Sequence, residues 1–175
     1  MATTKNKTTP LKKNKPHLEI ERKFLMRRLP IELLMKRKHE VIEIVQYYFY
    51  IDGIWQRFRI ASDKKSTKYV HTIKKSISPG VYEENENQIE KSEFLDIFKK
   101  HQKKYKVVRK TRYVIKHKGL KFEIDNYSDL SLVVLEVELP RIDFCFSYPV
   151  GLRAEIAYEL TGIKQFSNLS LSLTK

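Results

Sequence analysis

Polar and apolar residues alternate along most of the chain, in short stretches that turn signals separate. Neighbouring side chains of a β-strand point to opposite faces, so alternation predicts strands with one apolar and one polar face. The predicted strands cover residues 17–24, 46–51, 55–60, 70–74, 82–89, 110–115, 122–125 and 132–139. Asp52-Gly53, Pro79-Gly80 and Lys118-Gly119 are typical of tight turns between strands. The pattern predicts an antiparallel sheet.

Three further segments have helical character. Pro30 suits the first position of a short helix over residues 30–38. A second helix is predicted to begin near Ser92, which can cap it, and to end in a run of lysines. A last helix is predicted near residues 150–160. With about eight strands, three helices and no internal repeat, the chain is predicted to form one α+β domain.

The polar faces of the predicted strands are sorted by the sign of their charge. The acidic pairs are Glu19 and Glu21, Glu84 and Glu86, Glu123 and Asp125, and Glu136 and Glu138, and the basic pairs are Arg57 and Arg59, and Lys110 and Arg112. For any one strand, a polar face turned to water is the simplest interpretation. Like charges on one face repel, however, so repeated sorted pairs indicate that something else binds them.

The two kinds of pair favour two kinds of ligand. Acid pairs suit a hard divalent cation, which takes oxygen ligands. Lys and Arg pairs suit phosphate oxygens. A closed antiparallel barrel that enclosed both sets would therefore hold a metal–polyphosphate complex in its lumen.

The composition narrows the class of protein. With 175 residues, 41% of them hydrophobic, the chain is long enough for one domain with a sizeable core. The single cysteine, Cys145, excludes an internal disulfide, and between two phenylalanines it is expected in the core. No apolar run approaches the roughly 20 residues of a membrane helix, and the lysine-rich beginning is unlike a signal peptide. We therefore expect a cytoplasmic protein without membrane contact.

The net charge of +14, from 35 Lys and Arg against 21 Asp and Glu, predicts an anionic partner. Residues 1–16 carry five lysines and no acid, and are predicted to be a disordered basic arm before a domain over residues 17–175. A solvated tail is the favoured interpretation of this arm, and weak contact with nucleic acid is the alternative. The sequence leaves the choice between monomer and homodimer open.

The segment Glu19-Ile20-Glu21-Arg22-Lys23 matches the ExExK signature of the CYTH domain, the triphosphate tunnel metalloenzyme superfamily. Further motifs follow once each and in the family's order: Gln46-Tyr47-Tyr48, Arg57-Phe58-Arg59, Thr72-Ile73-Lys74, the Glu84 and Glu86 pair, residues 110–113, residues 123–125 and residues 136–138. Over residues 18–139 the chain therefore resembles this family, and within it the short inorganic triphosphatases of bacteria.

The resemblance implies an eight-stranded antiparallel β-barrel that forms a charged tunnel, with a few flanking helices, and that binds a small-molecule triphosphate with Mg²⁺ or Mn²⁺. The implied phosphate ligands are Lys23, Arg57, Arg59, Lys74, Lys110 and Arg112. The implied metal ligands are Glu19, Glu21, Glu123, Asp125, Glu136 and Glu138. Glu19, Glu21 and Lys23 are the implied catalytic residues, and Tyr48, Glu84 and Glu86 are secondary candidates.

The implied reaction is metal-dependent hydrolysis of inorganic tripolyphosphate to pyrophosphate and phosphate, in which basic residues neutralise and align the phosphate chain. Within the fold, the alternatives are cyclisation of ATP, as in class IV adenylate cyclases, and hydrolysis of thiamine or nucleoside triphosphates. A non-catalytic binder of polyphosphate or RNA is the alternative from another class, and the complete set of acid pairs disfavours it. Two positions depart from the family pattern: Tyr82 stands where a basic residue is frequent, and Gln88 where a third acid is frequent.

Overall fold

The computed structural model describes residues 15–101 and 104–174, so residues 1–14 of the predicted basic arm lie outside the described residues. The described strands are β1 His17–Met26, β2 Glu40–Ile51, β3 Ile54–Ser62, β4 Thr67–Ser78, β5 Val81–Ile89, β6 Tyr105–His117, β7 Leu120–Tyr127, β8 Leu132–Glu138 and β9 Ile156–Glu159. The described α-helices are α1 Ile31–Lys36, α2 Lys91–His101 and α3 Asn168–Leu173. None of the described helices has the length and apolar character needed to cross a membrane.

Eight of the strands close into an antiparallel barrel, in the order β5-β4-β3-β2-β6-β7-β8-β1. Closure depends on β1, which pairs with β8 along one edge and, through residues 17–20, with β5 along the other. On the side of β1 that pairs with β5, the later residues Phe24 to Met26 pair instead with β9. The predicted eight-stranded antiparallel barrel is thus confirmed, with one additional strand that the alternation did not predict.

The apolar faces of the strands point away from the barrel axis and are covered from outside. In β7, Phe122 and Ile124 are completely buried and pack with Leu34 of α1 and with Leu152 in the segment after β8. On the other side of the barrel, Phe94 of α2 packs against the outer faces of β2 and β3. Because side chains alternate along a strand, burying these faces outside turns the charged faces inward.

Helix boundaries differ from the prediction in small ways. The α1 helix ends at Lys36, two residues early, with Pro30 at the position before it. The α2 helix begins at Lys91, so Ser92 lies in its first turn and is not its cap. The lysine-rich last turn of α2 forms as expected and lies favourably against the helix dipole.

The helix predicted near residues 150–160 is wrong. Those residues form a short 3-10 turn and then β9, which pairs with the part of β1 that β5 leaves free. Leu152 and Leu160 are nevertheless almost fully buried, because they flank the added strand and anchor it at both ends. The α3 helix lies beyond the region predicted to be helical.

The core position predicted for Cys145 is also wrong, since its side chain is exposed. The segment around it has no regular secondary structure and contributes alternate residues, Phe144, Phe146 and Tyr148, to the core. Phe144 and Phe146 pack inward, so the residue between them faces solvent.

Candidate active site

A cavity of about 690 Å³ occupies the barrel interior. Its walls carry the following predicted site residues: Glu19, Glu21, Lys23, Tyr48, Arg57, Arg59, Lys74, Glu84, Glu86, Arg112, Glu123, Glu136 and Glu138. They come from all eight strands of the barrel, and each side chain lies on the inner face of its strand. Barrel closure therefore converts charge pairs that are far apart in sequence into one site.

The ammonium group of Lys74 is the centre of a carboxylate cluster, which consists of Glu19, Glu21 and Glu84. Its Nζ lies 3.6 Å from Glu21 Oε2 and 3.4 Å from Glu84 Oε2, and it also contacts Glu19 Oε2. The Oε2 atoms of Glu19 and Glu84 are buried, yet within the described residues neither accepts a well-formed hydrogen bond. Among the described residues, the Lys74 ammonium is the cation that both oxygens contact.

The electrostatics of this cluster favour additional positive charge. Burial raises the pKa of Glu19, with Lys74 opposing that rise. Burial also raises the pKa of Glu21, and the nearby Glu136 carboxylate raises it further. A hard divalent cation, which binds carboxylate oxygens, would relieve both desolvation and repulsion. On this ground the residues present fit Mg²⁺ or Mn²⁺.

The carboxylates of this cluster are arranged around an ammonium group and do not form a metal-coordination site among the described residues. In residues 15–101 and 104–174, no three His, Cys, Asp or Glu side chains are placed so that they could share one ion. Instead, the carboxylate cluster surrounds the Lys74 ammonium. A metal ion would therefore replace Lys74 as the counter-charge of these side chains.

A second group of charges surrounds Arg112. Its Nε lies 2.6 Å from Asp125 Oδ1 and its Nη2 lies 2.7 Å from Asp125 Oδ2, while Nη2 is also 2.7 Å from Glu136 Oε2. Its Nη1 contacts Glu123. Burial raises the pKa of Glu136, but Lys23, Lys110 and Arg112 outweigh burial and hold that pKa well below its usual range. These contacts fix Arg112 in the cavity wall.

Lys110 and Asp125 lie behind that wall. Both side chains are completely enclosed and ion-paired with each other, and neither lines the cavity. Burial and the neighbouring Arg112 lower the pKa of Lys110 to about 8, while Asp125 opposes the change. The roles predicted for these two residues, phosphate and metal binding, stay predictions, and each is engaged with protein partners in this structure.

Arg59 differs from the other tunnel cations. It forms no ion pair with any described residue, and its buried Nε has no hydrogen-bond partner there. Burial and the positive charges of Arg57 and Arg112 lower its pKa to about 10. Arg57 beside it, by contrast, lies 3.0 Å from Glu84 Oε1 and donates to Thr72 Oγ1 at 3.0 Å. The Glu86 carboxylate opposes the lowering of the Arg59 pKa, so the Arg59 charge is only partly compensated within the cavity.

The remaining cavity wall comes from a segment that strand patterns could not reveal. Residues 160–164 and 167–170 close one side of the cavity. Asn168 is held there by Tyr127, whose hydroxyl donates to Asn168 Oδ1 at 2.6 Å. Trp55 and Tyr82 also line the cavity but were not among the predicted site residues. They are aromatic and uncharged, so the charge pattern could not single them out.

No protein-family model matches the sequence, and no curated protein matches it. Two crystal structures of the protein NE1496, one of them described as an inorganic triphosphatase, are 28% and 26% identical to this chain. They cover 89% and 91% of it and 97% of their own chain, with TM-scores of 0.55 and 0.56. PH1819 from Pyrococcus horikoshii OT3 is 16% identical over 89% of this chain and 98% of its own, with a TM-score of 0.61, and supports the fold.

The fold and the site define a closed β-barrel whose interior is a tunnel of opposed acidic and basic side chains. The order of the charged motifs along the strands and the likeness to an inorganic triphosphatase agree with this class. These findings are consistent with a member of the CYTH, or triphosphate tunnel metalloenzyme, superfamily.

Proposed function

We propose that this protein hydrolyses inorganic tripolyphosphate to pyrophosphate and phosphate inside the barrel, with Mg²⁺ or Mn²⁺ as cofactor. The observation that carries the proposal is the guanidinium of Arg59, which forms no ion pair with a described residue and shares one cavity with the carboxylate cluster around Lys74. A polyphosphate and a divalent cation together satisfy both groups. The similar NE1496 structure, described as an inorganic triphosphatase, supports the choice of substrate.

The basic residues of the tunnel bind and orient the phosphate chain. Arg59 and Arg57 supply guanidinium groups, which bind phosphate oxygens through paired N–H donors. Lys23 and Lys74 add compact positive charges from two other strands. Fixing the substrate in this way aligns the scissile bond, and it neutralises charge on the equatorial oxygens as the phosphoryl group is transferred.

The role that we propose for the carboxylate cluster is to activate the attacking water. Glu19 and Glu21 would hold the metal ion, which when bound neutralises phosphate oxygens and makes a coordinated water more acidic. Water oxygen attacks the terminal phosphorus, a new P–O bond forms, and the bridging P–O bond breaks with its electron pair on pyrophosphate. The proton that the water gives up would pass to a tunnel carboxylate that does not hold the ion.

The test is phosphate release from tripolyphosphate, ATP, thiamine triphosphate and pyrophosphate, each with Mg²⁺, Mn²⁺ or EDTA, with cyclic AMP followed in parallel. We expect turnover of tripolyphosphate above that of ATP, and its loss in EDTA. The Glu19→Gln variant should lose at least a hundredfold in turnover, whereas Glu40→Gln, at an exposed ion pair with Lys116, should not. Undiminished metal-dependent turnover by Glu19→Gln would contradict the proposal.

Binding of tripolyphosphate without hydrolysis would give a different result in the same assays. If tripolyphosphate raises the melting temperature but no phosphate is released under any condition, the tunnel is a binding module, and the hydrolase proposal is wrong. If ATP yields cyclic AMP, the reaction is a cyclisation.

A further inference from the structure

We propose that Tyr82 is a positioning residue, which holds the ammonium group of Lys74 at the cavity wall where it can contact phosphate oxygens of the substrate. The inference rests on the proposed function, because phosphate is the ligand that Lys74 would meet. It assigns a role to a residue outside the charged motifs, at a position where the family pattern favours a basic side chain.

The geometry places the Tyr82 ring directly over Lys74. Tyr82 lies near the start of β5, opposite Glu19 of β1 on one side and Ser76 of β4 on the other. The Lys74 Nζ atom lies 4.1 Å from the centre of its ring, well within the range of a cation–π contact. Both side chains are partly buried and line the cavity.

The ring differs from the other partners of Lys74 because it carries no charge. The carboxylate cluster holds the ammonium in the absence of metal, but Glu19 and Glu21 are also the residues that fit a divalent cation. When these two carboxylates take up a cation, Lys74 loses them as partners and keeps only Glu84, which also pairs with Arg57, and the Tyr82 ring. The negative face of the Tyr82 ring is not a metal ligand, so this contact remains and keeps the ammonium from swinging out of the cavity.

This arrangement accounts for an aromatic residue at position 82. A lysine or arginine there would stand beside Lys74 and repel it. The tyrosine ring instead holds the Lys74 ammonium of β4 in place and adds no second positive charge. A ring also loses little rotamer freedom, so it forms a stiff platform for the flexible lysine side chain.

The hydroxyl group of Tyr82 offers a competing role, which substitution can separate from that of the ring. Lys23 and Glu21 both act on this hydroxyl electrostatically, so it lies near the same charges. Tyr82→Phe keeps the ring and removes the hydroxyl, whereas Tyr82→Leu removes both. If the ring positions Lys74, the phenylalanine variant should behave like the wild-type protein.

The experiment measures, for the full chain with Mg²⁺, the binding of a non-hydrolysable tripolyphosphate analogue by calorimetry and the KM and kcat for tripolyphosphate. We expect Tyr82→Leu to weaken binding and raise KM roughly tenfold, the size of a desolvated cation–π contact. We expect Tyr82→Phe to stay within about twofold of the wild type. Tyr158→Leu, at an exposed tyrosine of β9 away from the cavity, is the matched control and should bind normally. Tyr82→Gln serves in place of Tyr82→Leu if the latter does not fold.

The decisive step repeats the substitution in a Lys74→Met background. If Tyr82 acts through Lys74, removing the ring there should cause no further loss of affinity, because the two effects belong to one contact. A tenfold loss that persists without Lys74, or a Tyr82→Phe variant as impaired as Tyr82→Leu, would overturn the inference. A wild-type protein that binds no tripolyphosphate would instead overturn the proposed function.

Discussion

Arg112 donates two hydrogen bonds to Asp125, from Nε to Oδ1 at 2.6 Å and from Nη2 to Oδ2 at 2.7 Å. The carboxylate is completely enclosed and also holds Lys110. One buried anion therefore compensates two cations behind the cavity wall, and this makes Asp125 essential to the folded state whatever its role toward a metal.

Asp125→Asn should destabilise the protein by about 3–5 kcal/mol, because it leaves Lys110 buried without its ion-pair partner and removes one of the three carboxylates that Arg112 contacts. Urea unfolding measures this loss. The control is Asp143→Asn, at an exposed pair with Arg141, for which a change of about 0–1 kcal/mol is expected. Equal stability of Asp125→Asn and the wild type would show that the ion pairs around Asp125 contribute little.

Arg59→Met should weaken tripolyphosphate binding without lowering the stability of the folded protein. Without ligand, the repulsion from Arg57 and Arg112 disappears, so the free energy of unfolding should equal or exceed that of the wild type. Tripolyphosphate affinity should fall at least roughly tenfold, the worth of a charge-assisted hydrogen bond. Arg109→Met, at an exposed arginine of β6, controls for the change in net charge. The prediction fails if Arg59→Met binds tripolyphosphate as tightly as Arg109→Met does.

Gly80→Ala should damage both the barrel closure and the site. Gly80 has a φ of +73°, and a Cβ there would lie 2.6 Å from the carbonyl oxygen of Glu21 and 2.7 Å from Thr161 Cγ2. The clash adds to a left-handed strain of about 1–3 kcal/mol. Gly119→Ala carries the same kind of strain at φ +80° but meets no atom within 4 Å. We expect Gly80→Ala to be clearly less stable than Gly119→Ala and to bind tripolyphosphate more weakly. Equal losses in the two variants would mean that the contact with Glu21 is unimportant.

His71 should make the stability depend on pH below neutrality. Burial lowers its pKa, and its ring stacks on Phe58 at 4.4 Å and contacts Gln56 at 2.8 Å. Between the unfolded pKa of about 6.5 and the lower folded value, the unfolded chain binds a proton that the native protein does not, so stability falls as pH falls. His71→Gln should lack this loss. Unfolding free energies measured from pH 8 down to pH 5 should therefore diverge below about pH 6.5, and parallel curves would contradict the prediction.

Alternation predicted the barrel well because its physical cause is simple. Glu123 and Asp125 face inward for the same reason that Phe122 and Ile124 are buried outside: successive side chains of a strand point to opposite faces. Charge sorting then identified the inner faces of strands that lie far apart in sequence. The prediction required no knowledge of which strands are neighbours.

Residues without a repeating pattern could not be placed from sequence. The register of β9 depends on the free half of the β1 edge, which exists only once β5 has paired with the first half. The enclosure of Lys110 behind Arg112 likewise depends on the curvature of the closed sheet, because both residues occupy inward-facing positions of β6. Tyr82 was noted only as a departure, and its contact with Lys74 needs the three-dimensional structure.

The most direct measurement of the central claim is phosphorus NMR of tripolyphosphate incubated with the full chain and Mg²⁺ or Mn²⁺. The proposed reaction predicts that phosphate and pyrophosphate appear together in equal amounts, that EDTA stops their formation, and that Glu19→Gln forms neither at a comparable rate. Tripolyphosphate that remains intact with both metals, while the protein is folded, would contradict the assignment of this tunnel as a triphosphatase site.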